Sequence, residues 1–294
     1  MSLVLVDGHY YAYRSFYAIA HLTNSKGEPT NAAFGFTSAL LRMAEDLKPA
    51  RGAVIFDGGV PQERLETHPE YKANRKETPE ALEKQIPLLW EVAQALGWKT
   101  ISIEGEEADD VIASYCRAED GNECIVATND KDLMVLAARG VKIYQPKSEG
   151  FELLGPTEVE TKWGVPPDKV PELLALTGDA SDNFPGIPGV GPKTAAKWIA
   201  EFQTAEGVLA AADRIKPERF RPILKESADI VRRNRKMVEL RTALPLPVPL
   251  AQLHLAPDPE KQVELFRRLE FKRFTREAEA RLAARKPKQA NLFS

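Results

Sequence analysis

The sequence predicts an α/β protein with a largely parallel central sheet flanked by helices. Short, β-rich apolar runs recur through the first half of the chain, and segments with helical period separate most of them. Strands that alternate with helices in this way form parallel sheets. Acidic residues follow several of the runs, at the carboxyl ends where ligands bind in such sheets. We therefore expect the functional site at that edge.

The predicted elements of the first half follow from these runs in order. Five runs are expected to form strands, over residues 3–6, 53–56, 100–103, 124–127 and 141–144. Four segments of helical period are expected to form helices, over residues 32–47, 80–96, 108–117 and 131–138.

Helices are predicted to replace strands after about residue 155, with Thr157 and Asp168 as caps at two helix starts. A proline-rich connector over 244–250 then precedes a single helix expected over 259–285, whose apolar face packs inward. The length of 294 residues exceeds the usual single-domain size. We predict an α/β core over 1–155 that includes a polar loop over 58–80, a helical region over 156–285, and a flexible tail over 286–294.

The composition indicates a cytoplasmic protein that does not enter a membrane. Hydrophobic residues make up 43% of the chain, which is enough for a sizeable core. Cys116 and Cys124 have neither a metal-like nor a disulfide-framework spacing, which favours a reducing compartment. The amino terminus lacks the pattern of a signal peptide, and no apolar stretch approaches the roughly 20 residues that cross a bilayer.

Nine carboxylates arrive in short clusters at predicted strand ends or helix starts. Like charges gathered at low dielectric repel, so such clusters persist only with cations among them, and we expect a pair of divalent metal ions. A lone Asp after a strand more often caps a turn or helix, but caps have no reason to concentrate at one sheet edge. The nine are Asp7, Asp57, Glu107, Asp109, Asp110, Asp130, Asp132, Asp179 and Asp182.

The charge balance depends on these acids. The formal net charge of −3 disfavours a nucleic-acid partner, because Lys and Arg supply most of the affinity for phosphates. Leaving out the nine clustered acids, whose charge bound metal would offset, changes the balance to +6. The remaining surface is therefore expected to be mildly basic.

Two further segments carry candidate binding residues. The loop over 58–80 contains Arg64, Lys72 and Arg75 around Tyr71. Its composition fits a solvated charged loop as well as a functional lid, but its position directly after Asp57 favours the lid. The second segment is a glycine-rich hairpin that opens onto a helix and suits binding of a DNA-backbone phosphate, although an ordinary helix connector remains an alternative. Its candidate residues are Gly186, Gly189, Gly191, Lys193 and Thr194.

Six motifs resemble those of one family in order and spacing. They are Val-Asp-Gly, Phe-Asp, Glu-Ala-Asp-Asp, Asn-Asp-Lys-Asp, Thr-Gly-Asp-Ala-Ser-Asp-Asn and Pro-Gly-Ile-Pro-Gly-Val-Gly-Pro-Lys-Thr-Ala. From about residue 3 to residue 275 the chain resembles the 5′-nuclease domain of bacterial DNA polymerase I and the wider flap endonuclease group. The resemblance implies a PIN/5′-nuclease-like fold with a helical arch over 58–80 and a helix-hairpin-helix-type DNA-binding motif. No polymerase follows, so an excised domain or a stand-alone nuclease is expected.

The resemblance also implies an activity: hydrolysis of a DNA phosphodiester near the base of a 5′ flap, or stepwise from a 5′ end, leaving 5′-phosphate and 3′-hydroxyl ends. Such a monomeric enzyme would act on flaps, nicked or gapped duplex and free 5′ ends in replication and repair. It would use two Mg²⁺ or Mn²⁺ ions. This agrees with the residues, because oxygen ligands select these hard ions and the four scattered histidines offer no zinc set.

Residue roles also follow from the resemblance. Lys72 and Arg75 would contact the scissile phosphate, Tyr71 would stack on an unpaired base, and Arg64 belongs to the same DNA-binding arch. The hairpin over 186–191 would hold the duplex backbone and a K⁺ ion. The first metal would be held by Asp7, Asp57, Glu107 and Asp109 with Asp110 beside it, and the second by Asp130, Asp132, Asp179 and Asp182.

The last residues, Gln289-Ala-Asn-Leu292-Phe293-Ser, resemble the short peptide that docks bacterial replication proteins on the sliding clamp. Gln289, Leu292 and Phe293 are the expected clamp contacts, and an inert tail is the alternative.

Three other functions compete with the nuclease. An aspartyl-phosphate phosphatase would need a second Asp where His9 stands. A non-catalytic branched-DNA binding module, tethered to the clamp, gives no reason to retain nine acids near DNA. A metal-dependent RNA nuclease is disfavoured, because the hairpin and arch suit duplex junctions.

Overall fold

A six-stranded sheet forms the centre of the protein, in a computed structural model that describes residues 2–119 and 123–285. Its strands are β1 (Leu3–Asp7), β2 (Arg51–Ile55), β3 (Lys99–Ile101), β4 (Cys124–Ala127), β5 (Lys142–Pro146) and β6 (Phe151–Leu154). Their order is β3-β2-β1-β4-β5-β6, with every neighbouring pair parallel except β5 and β6. The predicted largely parallel sheet is confirmed.

Helices cover both faces of the sheet and then build the second half of the chain. Along the first half they are α1 (Gly8–Ala18), α2 (Asn31–Leu47), α3 (Gln62–Thr67), α4 (Glu80–Glu83), α5 (Ile86–Ala95) and α6 (Ala108–Ala118). Along the second half they are α7 (Pro156–Trp163), α8 (Val170–Thr177), α9 (Pro192–Phe202), α10 (Ala205–Ala210), α11 (Phe220–Glu226), α12 (Ala228–Met237), α13 (Pro259–Arg268) and α14 (Lys272–Arg285). Short 3₁₀ helices cover Asp132–Arg139, Pro167–Lys169, Ala212–Arg214 and Leu250–Gln252.

The central strand β1 is buried on both faces. Successive side chains of a strand point to opposite faces, so Leu3 and Leu5 join one hydrophobic cluster while Val4 and Val6 join the other. A fully apolar strand of this kind is typical of a parallel sheet covered by helices. Burial at the centre fixes the position of the carboxyl end of β1, where Asp7 stands.

Two predicted helices are each divided in the structure, and both predictions were wrong in that respect. The helix expected over 80–96 is interrupted between α4 and α5, where the buried Gln85 side chain accepts hydrogen bonds from the N–H groups of Ala32 and Ala33. The helix expected over 259–285 breaks between α13 and α14. Glu270 has a φ of 59° there, and the turn lets both Phe266 and Phe274 be fully buried.

Three smaller expectations were also wrong. The segment expected as an α-helix over 131–138 is the 3₁₀ helix Asp132–Arg139. Gly155, not Thr157, precedes α7, and Asp168 lies inside a 3₁₀ turn. Strands also continue past residue 155, because β7 (Gly178–Asp179) pairs with β8 (Phe184–Pro185). This last pair matters for the site, since it places Asp179 in a fixed hydrogen-bonded turn.

Candidate metal centre and nucleic-acid interface

Asp7 joins the central strand to the first helix. Its Oδ1 accepts a hydrogen bond from the N–H of Tyr10 (2.9 Å), as the N-cap of α1, and its Oδ2 accepts one from Thr128 Oγ1 (2.9 Å) after β4. The cap and the neighbouring strand together hold the carboxylate at the sheet edge. An Asp is therefore required here both by local structure and by the site.

Asp57 lies two residues after β2 and is held from two sides. Its Oδ1 accepts from the N–H of Ala108 at the start of α6 (2.8 Å), and its own N–H donates to His9 Nδ1 (3.0 Å). Burial lowers the pKa of His9, against the attraction of the Asp57 carboxylate. A neutral imidazole with an accepting Nδ1 agrees with that direction.

Two overlapping triplets of carboxylates form the centre of the site. Within each triplet the candidate ligand oxygens lie within 4.8 Å of one another. Asp132 belongs to both, and its Oδ1 is buried without a hydrogen-bond partner among the described residues. The triplets are Asp109, Asp130 and Asp132, and Asp132, Asp179 and Asp182.

Backbone turns hold these acids in place. The N–H of Asp130 donates to Thr128 Oγ1 (3.0 Å), and the N–H of Asp132 donates to Asp130 Oδ1 (2.9 Å). Ser181 donates from its N–H to Asp179 Oδ1 (2.9 Å). Main-chain N–H groups thus hold one oxygen each of Asp130 and Asp179, while side chains of Tyr71 and Arg75 contact Asp182.

The electrostatics of the cluster require positive charge. Burial raises the pKa of Asp7 to about 7, and neighbouring carboxylates add to that effect. Burial, with a further contribution from carboxylate repulsion, raises the pKa values of Asp109 and Asp132 well above the usual range. Burial also raises the pKa of Asp130, although the hydrogen bond from the Asp132 N–H opposes that shift. Burial also acts on Asp179, but Lys131 and Ser181 outweigh it and lower its pKa. Four destabilised carboxylates in one place are chemically suited to a divalent cation.

A cavity of about 520 Å³ opens beside these acids. Sequence reasoning missed three aromatic or imidazole side chains that line it, His9, Tyr10 and Tyr13, although their place directly after Asp7 was a usable signal. The predicted residues that line it are Asp7, Asp57, Lys72, Arg75, Asp109 and Asp130.

Asp110 departs from the prediction. Its side chain is fully buried and accepts from Arg64 Nη2 (3.0 Å), the N–H of Arg241 (2.9 Å) and Arg241 Nε (3.2 Å). Both oxygens are thus occupied by arginine contacts. The structure does not place Asp110 in the metal cluster, and it gives Arg64 a buried ion-pairing role where DNA contact was expected.

Tyr71 also departs from the prediction. It is only 7% exposed, and its hydroxyl lies 3.1 Å from Glu107 Oε1 and 3.2 Å from Asp182 Oδ2. A buried ring of this kind has no free face for stacking on a base, so the predicted stacking role was wrong for this conformation.

The arch cations reach the same acids. Lys72 and Arg64 form ion pairs with Glu107, and Arg75 Nη2 lies 2.5 Å from Asp182 Oδ1. Lys72 has a φ of 58°, which lies in the left-handed region. This conformation is energetically unfavourable for any residue other than glycine. The arch is therefore held in a specific position over the carboxylates.

The glycine-rich hairpin connects α8 to α9. A Cβ added to Gly186 would lie 2.1 Å from the Thr177 carbonyl, so only a glycine permits the close packing at this half-buried position. Gly189 has a φ of 77°. Gly189, Gly191 and Lys193 are exposed. Thr194, in the first turn of α9, is half-buried, and its N–H donates to Gly191 O.

Two expectations concern other parts of the chain. The predicted clamp contacts Gln289, Leu292 and Phe293 lie outside the described residues. Within the described ranges, no helix combines the length and apolar character needed to span a bilayer.

The chain matches two family models along most of its length. Residues 2–164 match the 5′-3′ exonuclease N-terminal resolvase-like domain, and residues 165–261 match the 5′-3′ exonuclease C-terminal SAM fold. It is 38% identical over 271 residues to the thermostable DNA polymerase I of Thermus thermophilus and 40% identical over 274 residues to DNA polymerase I of Deinococcus radiodurans. These matches span 92% of this chain but only 32% and 28% of those relatives.

Solved structures share the fold at low identity. The T5 D15 protein co-crystallised with metal ions has a TM-score of 0.69 and 21% identity, covering 95% of this chain and 99% of that chain. The catalytic core of Rad2 in complex with DNA substrate has a TM-score of 0.65 and 18% identity, covering 95% and 92%.

Proposed function

The chain belongs to the 5′-3′ exonuclease family, and we propose that it is a divalent-metal-dependent 5′ nuclease acting on DNA. Its reaction would be hydrolysis of a phosphodiester near the base of a 5′ flap, or stepwise from a 5′ end, leaving 5′-phosphate and 3′-hydroxyl. The observation that carries this proposal is the pair of carboxylate triplets that share Asp132 beside an open cavity. Removal of primers or flaps in DNA replication and repair would use this reaction.

The donor set fits hard divalent ions. The triplets contain carboxylate oxygens alone, which suit Mg²⁺ and Mn²⁺, and the buried Oδ1 of Asp132 lacks another partner in the described chain. We propose that each triplet holds one ion, with Asp7 and Asp57 lining the adjoining cavity. Two ions, when bound, activate a water and stabilise the attacking and leaving oxygens.

The arch residues would position the phosphate. Lys72 and Arg75 line the cavity, where their charges can stabilise the negative charge that develops on a reacting phosphate. The Tyr71 hydroxyl holds Glu107 and Asp182 together from beneath the arch. We assign Tyr71 a positioning role for that reason.

The hairpin would hold the duplex without reading its sequence. Gly189 and Gly191 are exposed in the hairpin, and Lys193 is exposed in the first turn of α9, where its ammonium group can attract a phosphate. Binding there, with or without a K⁺ ion, would be independent of base identity because only the backbone is contacted.

Three parts of the proposal rest on sequence alone. The protein is expected to act as a monomer in the cytoplasm, and residues 288–294 are expected to tether it to a sliding clamp. Deleting those seven residues should abolish clamp binding and spare cleavage, and unchanged binding in a titration would contradict the tether.

The deciding experiment is cleavage of a 5′-flap duplex labelled on the flap strand. Wild-type protein should cut within about one nucleotide of the junction in Mg²⁺ and should not cut in EDTA. Asp130→Asn should lose most of the activity, because it removes one charge from a triplet. Asp229→Asn is the matched control, since that carboxylate is fully exposed on α12.

Each outcome has one meaning. Tight binding without cutting in Mg²⁺ and Mn²⁺ would replace the nuclease with a branched-DNA binding module. Cutting that continues in EDTA, or that Asp130→Asn leaves intact, would remove the carboxylate cluster from the reaction.

A further inference from the structure

A second cavity adjoins the metal centre and is not used by the proposed mechanism. Its volume is about 390 Å³. It shares Tyr10 and Asp130 with the cavity that opens over the carboxylates, so the two adjoin at the acids. It is lined by Tyr10, Asn129, Asp130, Lys131, Lys162, Trp163 and Ser181.

Lys162 differs from the cations around the metal centre. Lys72, Arg75 and Lys131 each form an ion pair with one of the clustered carboxylates. Lys162 forms none within residues 2–119 and 123–285; its Nζ donates to the amide oxygens of Gln145 (3.1 Å) and Asn129 (3.4 Å). Lys162 is influenced by the charges of Glu152 and Lys147, which act in opposite directions. A positive charge that is not consumed in an ion pair, beside a cavity, favours an anionic ligand.

The neighbours of Lys162 hold its ammonium group in place. Asn129 Oδ1 also accepts from Gln145 Nε2 (2.7 Å), so three side chains from separate elements form one connected network. The indole of Trp163 lines the same cavity, and its Nε1 is buried without a hydrogen-bond partner in the described part of the chain. The cavity thus offers an oriented ammonium group suited to a phosphate oxygen.

The helix α7, which carries Lys162, ends beside the helix that follows the hairpin. Lys162 is near the end of α7, and a Cβ on the following Gly164 would lie 3.4 Å from the Cβ of Ala196 in α9. The helix α9 begins at the hairpin. A strand held at the hairpin and cut at the carboxylates would therefore pass this cavity.

We propose that Lys162, oriented by Asn129, binds one backbone phosphate of the cut strand on the duplex side of the scissile phosphate. The proposal rests on the nuclease function above and adds a positioning residue to it. Asp130 and Asp179 disfavour a free phosphate dianion nearby, whereas a phosphodiester carries a single negative charge and is held by the rest of its strand. Lys162 would thereby help to decide which phosphodiester reaches the metal centre.

Steady-state cleavage of the flap duplex tests the proposal with Lys162→Gln. The variant should raise KM about five- to tenfold with kcat changed less than about twofold. The slope of the logarithm of the binding constant against the logarithm of the salt concentration should fall by about 1, as expected for the loss of one phosphate contact. The cut position should also spread over neighbouring phosphodiesters. Lys225→Gln is the matched control, because Lys225 is an exposed lysine paired with Asp213 (2.6 Å) and does not line this cavity.

Phosphate replacement locates the contact independently of cleavage. Binding is measured to flap duplexes that carry one neutral methylphosphonate at each position on either side of the scissile phosphate. Wild-type protein should lose about five- to tenfold in affinity at one position on the duplex side, and Lys162→Gln should show no further loss there. Additive losses at every position, or an unchanged KM and cut position, would overturn the proposal. If the wild-type protein binds but does not cut, the nuclease function is refuted. The methylphosphonate scan would still decide whether Lys162 contacts a phosphate, because it measures binding.

Discussion

Replacing Asp132 with Asn should stabilise the protein when no divalent metal is present and weaken its response to metal. Asp132 belongs to both carboxylate triplets, whose oxygens lie within 4.8 Å of one another. At that distance and an effective dielectric constant of about 20, each carboxylate pair repels by about 3.5 kcal/mol. Removal of the shared charge should therefore relieve at least the repulsion of one such pair, about 3 kcal/mol, because Lys131 offsets part of the repulsion from the other acids.

The effect should depend on pH with a defined sign. Burial and the neighbouring acids raise the pKa of Asp132 in the folded protein above its value in the unfolded chain. The folded state therefore binds the proton more tightly, and stability is lost as pH rises from the unfolded pKa, about 4, through the folded pKa. Asn has no proton to lose, so the advantage of Asp132→Asn should grow by up to about 1.4 kcal/mol per pH unit in that window.

Thermal unfolding in EDTA at pH 5, 6.5 and 8 measures this difference. About 3 kcal/mol should raise the melting temperature of the variant by about 6 °C relative to wild type at pH 8, and by much less at pH 5. Saturating Mn²⁺ should bring the melting temperature of wild type close to that of the variant. A ligand at one hundred times its Kd adds about 2.7 kcal/mol, and the variant should lose most of that gain because both triplets lack Asp132.

Asp229→Asn is the control, since its carboxylate is exposed on α12 and belongs to neither triplet. Equal melting temperatures for wild type and Asp132→Asn across the pH range in EDTA would refute the argument that carboxylate repulsion strains this cluster. An undiminished Mn²⁺ response in the variant would refute the shared-ligand geometry.

Three further predictions follow from other contacts. Asp110→Asn should lower the free energy of unfolding by about 3 kcal/mol in a urea titration, because two guanidinium groups lose a buried carboxylate; an unchanged midpoint would contradict this. Gly186→Ala should lower the free energy of unfolding by about 3 kcal/mol, because the new Cβ would lie 2.1 Å from the Thr177 carbonyl. Gly191→Ala, with open space around the position, should leave the free energy of unfolding nearly unchanged, and equal stabilities of the two variants would refute the packing argument. Mn²⁺ affinity should fall by at least about tenfold per pH unit below pH 7 in calorimetric titrations, because protons compete with the metal at the triplet acids of raised pKa, Asp109, Asp130 and Asp132, and at the adjoining Asp7, whose pKa burial raises to about 7; constant affinity would exclude these carboxylates from metal binding.

The strand-end acids were predictable because local rules place them. A buried apolar strand in a parallel sheet ends at the functional edge, so Asp7 and Asp57 had one available location once β1 and β2 were recognised. The turn-held acids Asp130 and Asp179 were predictable from the same motifs. In these cases the chain near each residue decides where its carboxylate lies.

The arch and the second acid of the α6 pair could not be placed from sequence. Asp109 and Asp110 are adjacent on a helix, so about 100° separates their directions, and only the contact of Asp110 with Arg241, 131 residues away, decides which acid faces the cluster. Tyr71 is buried because its hydroxyl meets Asp182, 111 residues away. Long-range partners of this kind leave no periodic signal in the sequence.

The arch contacts also imply that metal and arch compete for the same oxygens. Lys72 and Arg64 engage Glu107, and Arg75 engages Asp182, so a cation held by either carboxylate would have to displace or share these side chains. The displaced ammonium and guanidinium groups would then need another anion, and the phosphate of a substrate in the adjoining cavity is the one available. Metal binding would thus prepare Lys72 and Arg75 to receive DNA, because charges that stabilise the acids of the site would be released toward the phosphate.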